Sequence, residues 1–486
     1  MTPLPSHPIL TCDAARDFEE GRFGGDEARE WPAMQAAGRA LATAVRRDFA
    51  EIGSWPAAPR LLVLAGKGHN GGDALIAARE LLAATTAATA DVLFPFGSRR
   101  LRPLAARAWR ELTEQGGGRV RTVAAPEGAY DLSLDGVFGF QFRPPVGPAV
   151  AGCFESVNRH PIRLRAAVDL PSADLCAADF TYATGIVKAP LLASPVAGRI
   201  RYLDLGFFDG FGADGIPAER VLLASVLAPL AGWRSPASDK RTHGHLFVVG
   251  GSTDFPGAVL MAVLAALRSG VGLVTAFVPE PLVPAFAARA PEAMWVGWPL
   301  TPAGGLALEG EHLLRRKLER ATALALGPGL GREPETLALV RSLVERSSVP
   351  LVLDADALQP DIVVAGQAPR IVTPHAGELA RIGGRSAQRA DTVVVEKGPL
   401  TRIVAGGVGY VSPFGGPVLA RGGSGDLLAG LVGGLLAQTP EDPRLAAARG
   451  VVWHGRAADA LARSRGAVAV AVTDLLGFLP GALREE

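Results

Sequence analysis

The stretch LLVLAGKGHNGGDALIAAREL, residues 61–81, passes from an apolar strand-like run through a glycine-rich turn into helical spacing. The pattern predicts a strand over residues 61–65 and a helix over residues 73–82. Gly66, Gly68 and Gly71 satisfy G-x-G-x-x-G, and residues 66–73 have the length of a phosphate-binding P-loop. Where that loop carries Lys and then Ser or Thr, this chain has Gly72 and Asp73. A dinucleotide fold places an acidic residue for the ribose at the end of its second strand. Asp91 begins the run DVLFPF instead, at the wrong edge of the sheet. The stretch therefore marks an α/β unit whose glycine turn fits neither an ordinary ATP loop nor an ordinary NAD fingerprint.

The same alternation continues along the chain. The apolar runs RLLVLAG, ATADVLFPF, LDGVFGF and RAAVDLP are separated by helix-like segments, and so are HLFVVGGS, GLVTAFVP, ATALALGPGLG, VPLVLDADAL, RIVTPHAGE and DTVVVEKGP. This order predicts parallel sheets covered by helices in both halves. At 486 residues the chain exceeds the roughly 250–300 residues at which one core stops growing. Between the halves, LAPLAGWRSPASDKRTHGH replaces the apolar pattern with Pro, Ser, Lys and Arg, which sets the expected domains at 1–224 and 225–486.

With 49 basic and 48 acidic residues the net charge is +1, so no global field favours nucleic acid or an anionic membrane. Three cysteines, Cys12, Cys153 and Cys176, form no C-x-x-C pair, so neither a disulfide framework nor a cysteine-rich zinc site is expected. A reducing cytoplasmic location fits this usage, and the N-terminus shows no secretion signal. The uncharged run at residues 403–420 holds five Gly and two Pro, so short strands and turns are expected there rather than a membrane helix. Only five lysines occur: Lys67, Lys188, Lys240, Lys317 and Lys397. Lys67, Lys240 and Lys397 lie in or near glycine-rich or motif-like segments, whereas Lys317 sits in the charged LLRRKLER segment of an expected solvated helix.

In the first half, Asn70 and Asp73 add a neutral oxygen donor and a carboxylate near the expected helix start. Asp135 in LDGVFGFQFRPP, and Asp169 with Ser172 in AVDLPSAD, stand at two further strand ends. Strand ends of an open parallel sheet converge on one crevice, so these oxygens could coordinate a hard cation. The alternative is that each caps its own helix or turn.

In the second half, ARGGSGDLLAGLVGGLLAQ runs a glycine turn into a helix. Gly422, Gly423 and Gly425 permit tight backbone turns, so several N–H groups at the helix start can point to one anion, and Asp426 stands at the same terminus as a candidate base. An anion cradle beside a carboxylate suits phosphoryl transfer to a hydroxyl. An ordinary helix cap is the alternative. LVLDADAL ends a strand with Asp354 and Asp356, IVTPHAGELARI puts His375 and Glu378 on a turn, and VVVEKGPLTRIV follows a strand with Lys397 and Gly398. H-x-x-E without another His or Cys nearby has too few ligands for zinc.

GKGHNGGDALIAAREL, LDGVFGFQFRPP and AVDLPS resemble the three core motifs of NAD(P)H-hydrate epimerase domains. The order G-G-S, G-P-G-L-G, L-D-A-D-A-L, T-P-H-x-G-E, K-G and G-G-S-G-D resembles ADP/ATP-dependent NAD(P)H-hydrate dehydratase domains over about residues 238–479. The resemblance implies a Rossmann-like N-terminal domain, a ribokinase-like C-terminal domain and a bifunctional metabolite-repair enzyme. It implies K+ ligands at Asn70, Asp135 and Ser172, and substrate contacts at His69, Asn70, Gly71, Gly72 and Asp73. Gly139, Phe140, Gln141, Phe142 and Arg143, within a lining segment at 139–145, join those contacts, with Asp169 as acid/base. In the dehydratase half it implies Asp426 as base, and Ala258, Gly329 and His375 against the hydrated cofactor. Lys397, Gly398, Pro399, Leu400, Thr401, Gly423, Ser424 and Gly425 are implied at the nucleotide, within a 397–402 segment. Mg2+ accompanies ADP or ATP, through Glu378 and Asp354 by way of water, and a homo-oligomer is implied.

Four departures from the family pattern stand out. His69 replaces an Asn, Gln35 replaces a Glu in AMQAAG, PHAGE replaces P-H-P-G-E, and PSA replaces P-S-G. Ala173 therefore occupies a turn position where a positive φ is expected and Ala is disfavoured. The segments after Ala173 and over residues 379–391 are shorter than the family's. Two rival readings remain: a ribokinase-like kinase of a small hydroxylated metabolite fused to a binding domain, and a binding or scaffold protein that keeps both folds but has lost one or both activities, such as a repair-enzyme homologue whose N-terminal half has lost epimerase activity.

Overall fold

The structure is a computed structural model and describes residues 4–209 and 218–484. It divides into two compact units, residues 7–217, and residues 218–486 together with residues 1–6. The division falls slightly before the 224/225 boundary read from composition. The first residues join the C-terminal unit through hydrogen bonds that residue patterning does not announce: Leu223 N donates to Pro5 O at 3.1 Å and Arg220 Nε to Ser6 Oγ at 2.8 Å.

In the N-terminal unit seven parallel strands lie in the order Val120–Val123, Thr89–Leu93, Arg60–Ala65, Tyr130–Gly136, Ile162–Val168, Phe180–Thr184 and Arg199–Leu203. Both faces are covered, which explains why the strands read as continuous apolar runs rather than alternating ones. Leu61, Val63, Leu132 and Leu134 enter a core with Leu41, Val45, Leu75 and Leu81 of the helices on one side. Leu62 and Leu64 enter the opposite core with Phe154 and Val157 of the helix Pro148–Arg159.

The helix after the glycine turn spans His69–Ala84, four residues longer at its start than the expected helix from Asp73. Its N-cap is Gly68 with no side-chain cap bond, so neither Asn70 nor Asp73 is the cap. The early start follows from close packing. A Cβ at Gly71 would lie 2.2 Å from the Gly66 carbonyl oxygen, and one at Gly72 would lie 2.2 Å from Met34 Cε. Two glycines that looked like a flexible loop are thus the tightly packed first turn of a helix.

The C-terminal sheet runs Met294–Trp298, Leu273–Pro279, His245–Val249, Ala323–Leu326, Leu351–Leu353, Arg370–Val372 and Thr392–Glu396, all parallel. Arg402–Ala405 and Val408–Val411 add antiparallel strands, the short strands and turns expected in the uncharged run, and Glu219–Leu222 pairs parallel to the last of them. Leu246, Val248, Ala276 and Ala325 face Leu428, Val432 and Val452, while Phe247, Val249, Leu324 and Leu326 face Leu339 and Val340 on the other side. The helix Ser424–Gln438 is apolar all round because it is buried all round. At Gly430 a Cβ would come within 1.9 Å of the Ala262 carbonyl oxygen, so glycine there permits contact with the helix Pro256–Arg268. Both units are doubly covered parallel α/β folds, the class expected from the strand–helix alternation. No helix of the described residues is long and apolar enough to cross a membrane.

Candidate active sites at the strand ends

In the N-terminal unit the strand Ile162–Val168 delivers Asp169 in a left-handed conformation, φ 64°. Its Oδ1 accepts from Thr184 N at 2.9 Å and Thr184 Oγ1 at 2.7 Å, and its Oδ2 lies 2.9 Å from Lys188 Nζ. Lys188 is fully buried, and its ammonium lies 5.1 Å from the ring centroid of Phe140. A fixed carboxylate is the result, held on both oxygens at a strand end. Lys188 joins this candidate site, although motif reading passed over it. Its signal was present, since a lone Lys in the apolar segment TGIVKAPLL can be buried only with a partner.

Asp73 lies close to the same group. Burial first, then the charges of Asp169 and Glu19, push its carboxyl well above the ordinary carboxylate range against the opposing charge of Lys188. Its Oδ1 is buried without a hydrogen-bond partner. Glu19 is pushed up to about 7, by burial foremost; the Lys188 charge opposes this, and Asp169 and Glu30 reinforce it. The carboxyl that replaces a P-loop cation is therefore buried, raised above its ordinary range, and left with one oxygen unpartnered.

Asn70, Asp135 and Ser172 are brought together by three different segments. Asp135 accepts from Ser172 Oγ at 2.6 Å, Ser172 N at 2.8 Å and Val137 N at 3.2 Å. Asn70 Nδ2 donates to Val168 O at 3.0 Å, and a Cβ at Gly139 would lie 2.4 Å from Asn70 Oδ1. A Cβ at Gly136, next to Asp135, would meet the Asn70 carbonyl oxygen at 2.3 Å. This donor set is all oxygen with a single carboxylate, which fits a hard cation of low charge. Among the described residues, no group of three or more His, Cys, Asp and Glu side chains could hold a metal.

The other residues of this half spread around that centre. Phe140 is buried against Ala15, Ile186 and Phe208, the Phe142 ring lies tilted against Phe138 at 4.1 Å, and Gln141 is exposed. Arg143 reaches Asp13 at 3.3 Å, and His69 Nε2 lies 3.2 Å from Glu30. Asp91 is fully engaged elsewhere: Tyr130 Oη donates to it at 2.7 Å, Arg121 Nη2 at 2.9 Å and Arg60 Nη2 at 3.3 Å. A structural ion-pair role explains why it is absent from the strand end.

Ala173 adopts φ 57°, the left-handed value that glycine would take more easily. The turn retains its shape and carries the strain, because the Ser172–Asp135 hydrogen bonds hold it on one side. Replacing Ala173 by Gly is expected to stabilise the N-terminal unit by about 0.5–1 kcal/mol. Denaturant unfolding of the two chains measures this, and a destabilised variant would contradict the strain argument.

In the C-terminal unit, Gly423 takes φ 93° and opens the helix Ser424–Gln438, with Asp426 in its first turn. Lys397 Nζ donates to Asp354 Oδ1 at 2.8 Å and lies 3.7 Å from Glu378 Oε2. A Cβ at Gly425 would be 3.3 Å from Lys397 Nζ, so the glycine turn and the lysine meet. Thr373 Oγ1 donates to Asp354 at 2.6 Å, while Asp356 accepts from Gly331 N at 3.1 Å. Burial raises Asp426 to about 7; the Asp354 charge adds to the rise and the Lys397 charge opposes it. Its half-buried carboxylate is thereby matched to taking a proton near neutral pH.

His375 and Glu378 form a reciprocal cap. Glu378 accepts from His375 N at 2.8 Å, and His375 Nδ1 accepts from Gly377 N at 3.0 Å. The exposed ring therefore has a structural role, and its Nε2 lies 3.5 Å from Glu378 Oε1. Gly329 and Ala258 adjoin, since a Cβ at Gly329 would lie 3.0 Å from the Ala258 Cβ. Gly398 and Pro399 are exposed, Leu400 and Thr401 half-buried, beyond the strand Thr392–Glu396. The segment 379–391 holds the end of the helix Ala376–Arg381 and a short turn, Arg385–Ala387. His454 was not foreseen. It is buried on the helix Pro443–Arg465, where burial and the nearby Lys397 lower it to about 4, and its Nε2 lacks a partner.

Residues 246–480 match a family profile described as NAD(P)H-hydrate dehydratase, and residues 32–194 match one described as YjeF-related protein N-terminus. Among solved structures, the ADP/ATP-dependent NAD(P)H-hydrate dehydratase of Bacillus subtilis, co-crystallised with ATP and Mg2+, is 29% identical. That match covers 54% of this chain and 96% of the other, with a TM-score of 0.46. The bifunctional NAD(P)H-hydrate repair enzyme of Moorella thermoacetica is 33% identical over 93% of this chain and 92% of its own length. The Gloeobacter violaceus enzyme of the same description is 36% identical over 92% of each. With both halves matched in one relative after another, the chain belongs to the family of bifunctional NAD(P)H-hydrate repair enzymes.

Proposed function

We propose that the chain repairs hydrated NADH and NADPH in two steps, epimerisation in residues 1–224 and ADP- or ATP-dependent dehydration in residues 225–486. The observation that carries this reading is the Asp426 carboxylate at the head of a glycine-led helix, beside Lys397 and Asp354.

In the dehydratase site, Asp426 takes the proton from the substrate hydroxyl as its oxygen bonds to the terminal phosphorus of the nucleotide. The bond from that phosphorus to the nucleotide's bridging oxygen breaks, and N–H groups at residues 423–426 receive the charge of the transferred group. Phosphate then leaves with the C–O bonding electrons and a proton leaves the adjacent carbon, which restores the ring double bond. Ala258, Gly329 and His375 hold the hydrated cofactor, and Lys397, Gly398, Pro399, Leu400, Thr401, Gly423, Ser424 and Gly425 hold the nucleotide. Asp354 and Glu378 are the carboxylates available to Mg2+ through water, and Mg2+ would neutralise charge on the nucleotide phosphates.

In the epimerase site Asp169, held by Lys188 and Thr184, acts as acid/base at the hydrated carbon. Asp73, buried beside it with Oδ1 unpartnered, contacts the substrate. Residues 69–73 and 139–145 line it, and Asn70, Asp135 and Ser172 hold K+. Potassium there would supply a fixed positive charge beside the bound substrate. The chain works in the cytoplasm as a homo-oligomer.

The test is incubation of each epimer of hydrated NADH with ADP or ATP, with K+ present or replaced by Na+. Return of reduced-nicotinamide absorbance from the S epimer, and from the R epimer faster than its spontaneous conversion, supports both steps. A stable phosphorylated product would favour a small-molecule kinase, and no turnover of either epimer a binding protein. Removing K+ is expected to slow only R-epimer consumption.

The raised Asp426 value also sets a pH dependence. Base catalysis needs the ionised form, so kcat/KM for dehydration rises as pH increases through about 7. Stability moves in the opposite direction: the folded value lies above the ordinary 3.8, so the folded chain keeps a proton that the unfolded chain loses. This contribution is fully present below pH 3.8 and disappears as pH rises through about 7. A rate profile flat from pH 5 to 8 would remove Asp426 from the base role.

A further inference from the structure

The cation missing from the P-loop position reappears nearby, among residues to which no role is assigned above. Lys67, inside the glycine turn, places its ammonium 4.4 Å from the ring centroid of Phe96. Arg102 N donates to Lys67 O at 2.8 Å, and a Cβ at Gly68 would lie 3.9 Å from Arg102 Nη1. Arg99 and Arg100 stand exposed on the short turn Ser98–Arg100 between them. Four cations are thus gathered at the ends of two neighbouring strands, Arg60–Ala65 and Thr89–Leu93. Among the described residues no carboxylate forms an ion pair with any of the four. In a chain of net charge +1, such a gathering has an electrostatic cost unless an anion offsets it.

An aromatic row links this cluster to the candidate epimerase site. Phe96 lies edge-on to Phe138 at 5.7 Å, and Phe138 lies tilted at 4.1 Å against Phe142, which belongs to the segment expected to line the substrate. Phe138 N also donates to Ser172 Oγ at 2.9 Å, so the row is anchored to the Asp135–Ser172 pair. A ligand with a ring at Asp169 and phosphate further along matches this sequence of surfaces. The start of the helix His69–Ala84, at Gly68, adds its backbone N–H groups to the same face.

We propose that Lys67, Arg99, Arg100 and Arg102 form a phosphate-recognition site for the dinucleotide substrate of the N-terminal unit. The proposal rests on the epimerase reading for the identity of the ligand. The phosphate is either the bridging pyrophosphate or the 2′-phosphate that distinguishes hydrated NADPH from hydrated NADH. The four cations act on binding and not on the reacting carbon, so their removal changes KM and leaves kcat unaltered.

The test follows interconversion of the epimers by the full chain without ADP or ATP, on hydrated NADH and hydrated NADPH in turn. Lys67→Met keeps the aliphatic stem against Phe96, and Arg102→Gln keeps the backbone bond to Lys67 O. Arg159→Gln, at an exposed arginine paired with Glu155, is the charge control. The double variant is expected to raise KM roughly tenfold at low salt, with kcat retained and the salt dependence of KM reduced. A rise for both substrates assigns the pyrophosphate; a rise for hydrated NADPH alone assigns the 2′-phosphate. An unchanged KM for both, or a loss confined to kcat, overturns the proposal while leaving the epimerase reading intact. If wild type does not interconvert the epimers at all, that reading fails instead. The cluster is then judged by hydrogen exchange over residues 66–76 and 94–104 with NADPH or NADH. Protection in wild type that the double variant loses supports the site, and no protection in wild type overturns it.

Discussion

Replacing Asp426 by Asn is expected to lower kcat for dehydration by about 10³-fold, within the range for losing a positioned general base. The amide preserves shape but cannot take the hydroxyl proton. Its neutrality also removes repulsion from Asp354, Asp356 and Glu378, the carboxylates that help to raise Asp426. Substrate KM should therefore change little or fall. Epimer interconversion, which depends on a different unit, should continue at its wild-type rate. Both quantities follow from the return of reduced-nicotinamide absorbance starting with each epimer. A variant that keeps dehydration within tenfold of wild type would exclude Asp426 as the base.

The second large effect is expected at Lys188. Lys188→Met leaves the buried Asp169 carboxylate without its ammonium partner 2.9 Å away, and breaking one side of a buried pair costs about 3–5 kcal/mol. Epimerase activity should fall by about 10²-fold or more, since the carboxylate is no longer held on Oδ2. The double variant Lys188→Met with Asp169→Leu is expected to regain most of the stability and none of the activity, because a buried pair can often be replaced by apolar groups without loss. Hydrogen exchange over the strands Tyr130–Gly136 and Ile162–Val168 would follow this unit separately during denaturant unfolding. A loss below about 1 kcal/mol in the single variant would mean that water reaches the pair.

Much of the architecture was legible because both sheets are buried on two faces. Runs such as RLLVLAG and HLFVVGGS carry no alternation, yet their shortness and the glycine turns that follow identify them as parallel strands. The start of the helix His69–Ala84 was misplaced for a related reason. Gly71 and Gly72 have the composition of a loop, and only the approach of Gly66 and Met34 shows why a first helical turn needs glycine there. Ala173 looked incompatible with its turn, but neighbouring hydrogen bonds hold a strained residue in place at modest cost.

The sequence by itself determined the two α/β units, the order of their motifs and the residues at each strand end, since these depend on local spacing and residue type. Only the tertiary structure decided how those residues act on one another. Lys188 lies 15 residues beyond Ala173 in an unremarked apolar segment, yet chain return through the strand Phe180–Thr184 brings it to Asp169. Burial and neighbouring carboxylates raise the Asp73 carboxyl and bring Asp426 up to about 7, which linear distance does not reveal. Charge state depends on what surrounds a group in space, and that is set by packing between segments far apart in the chain.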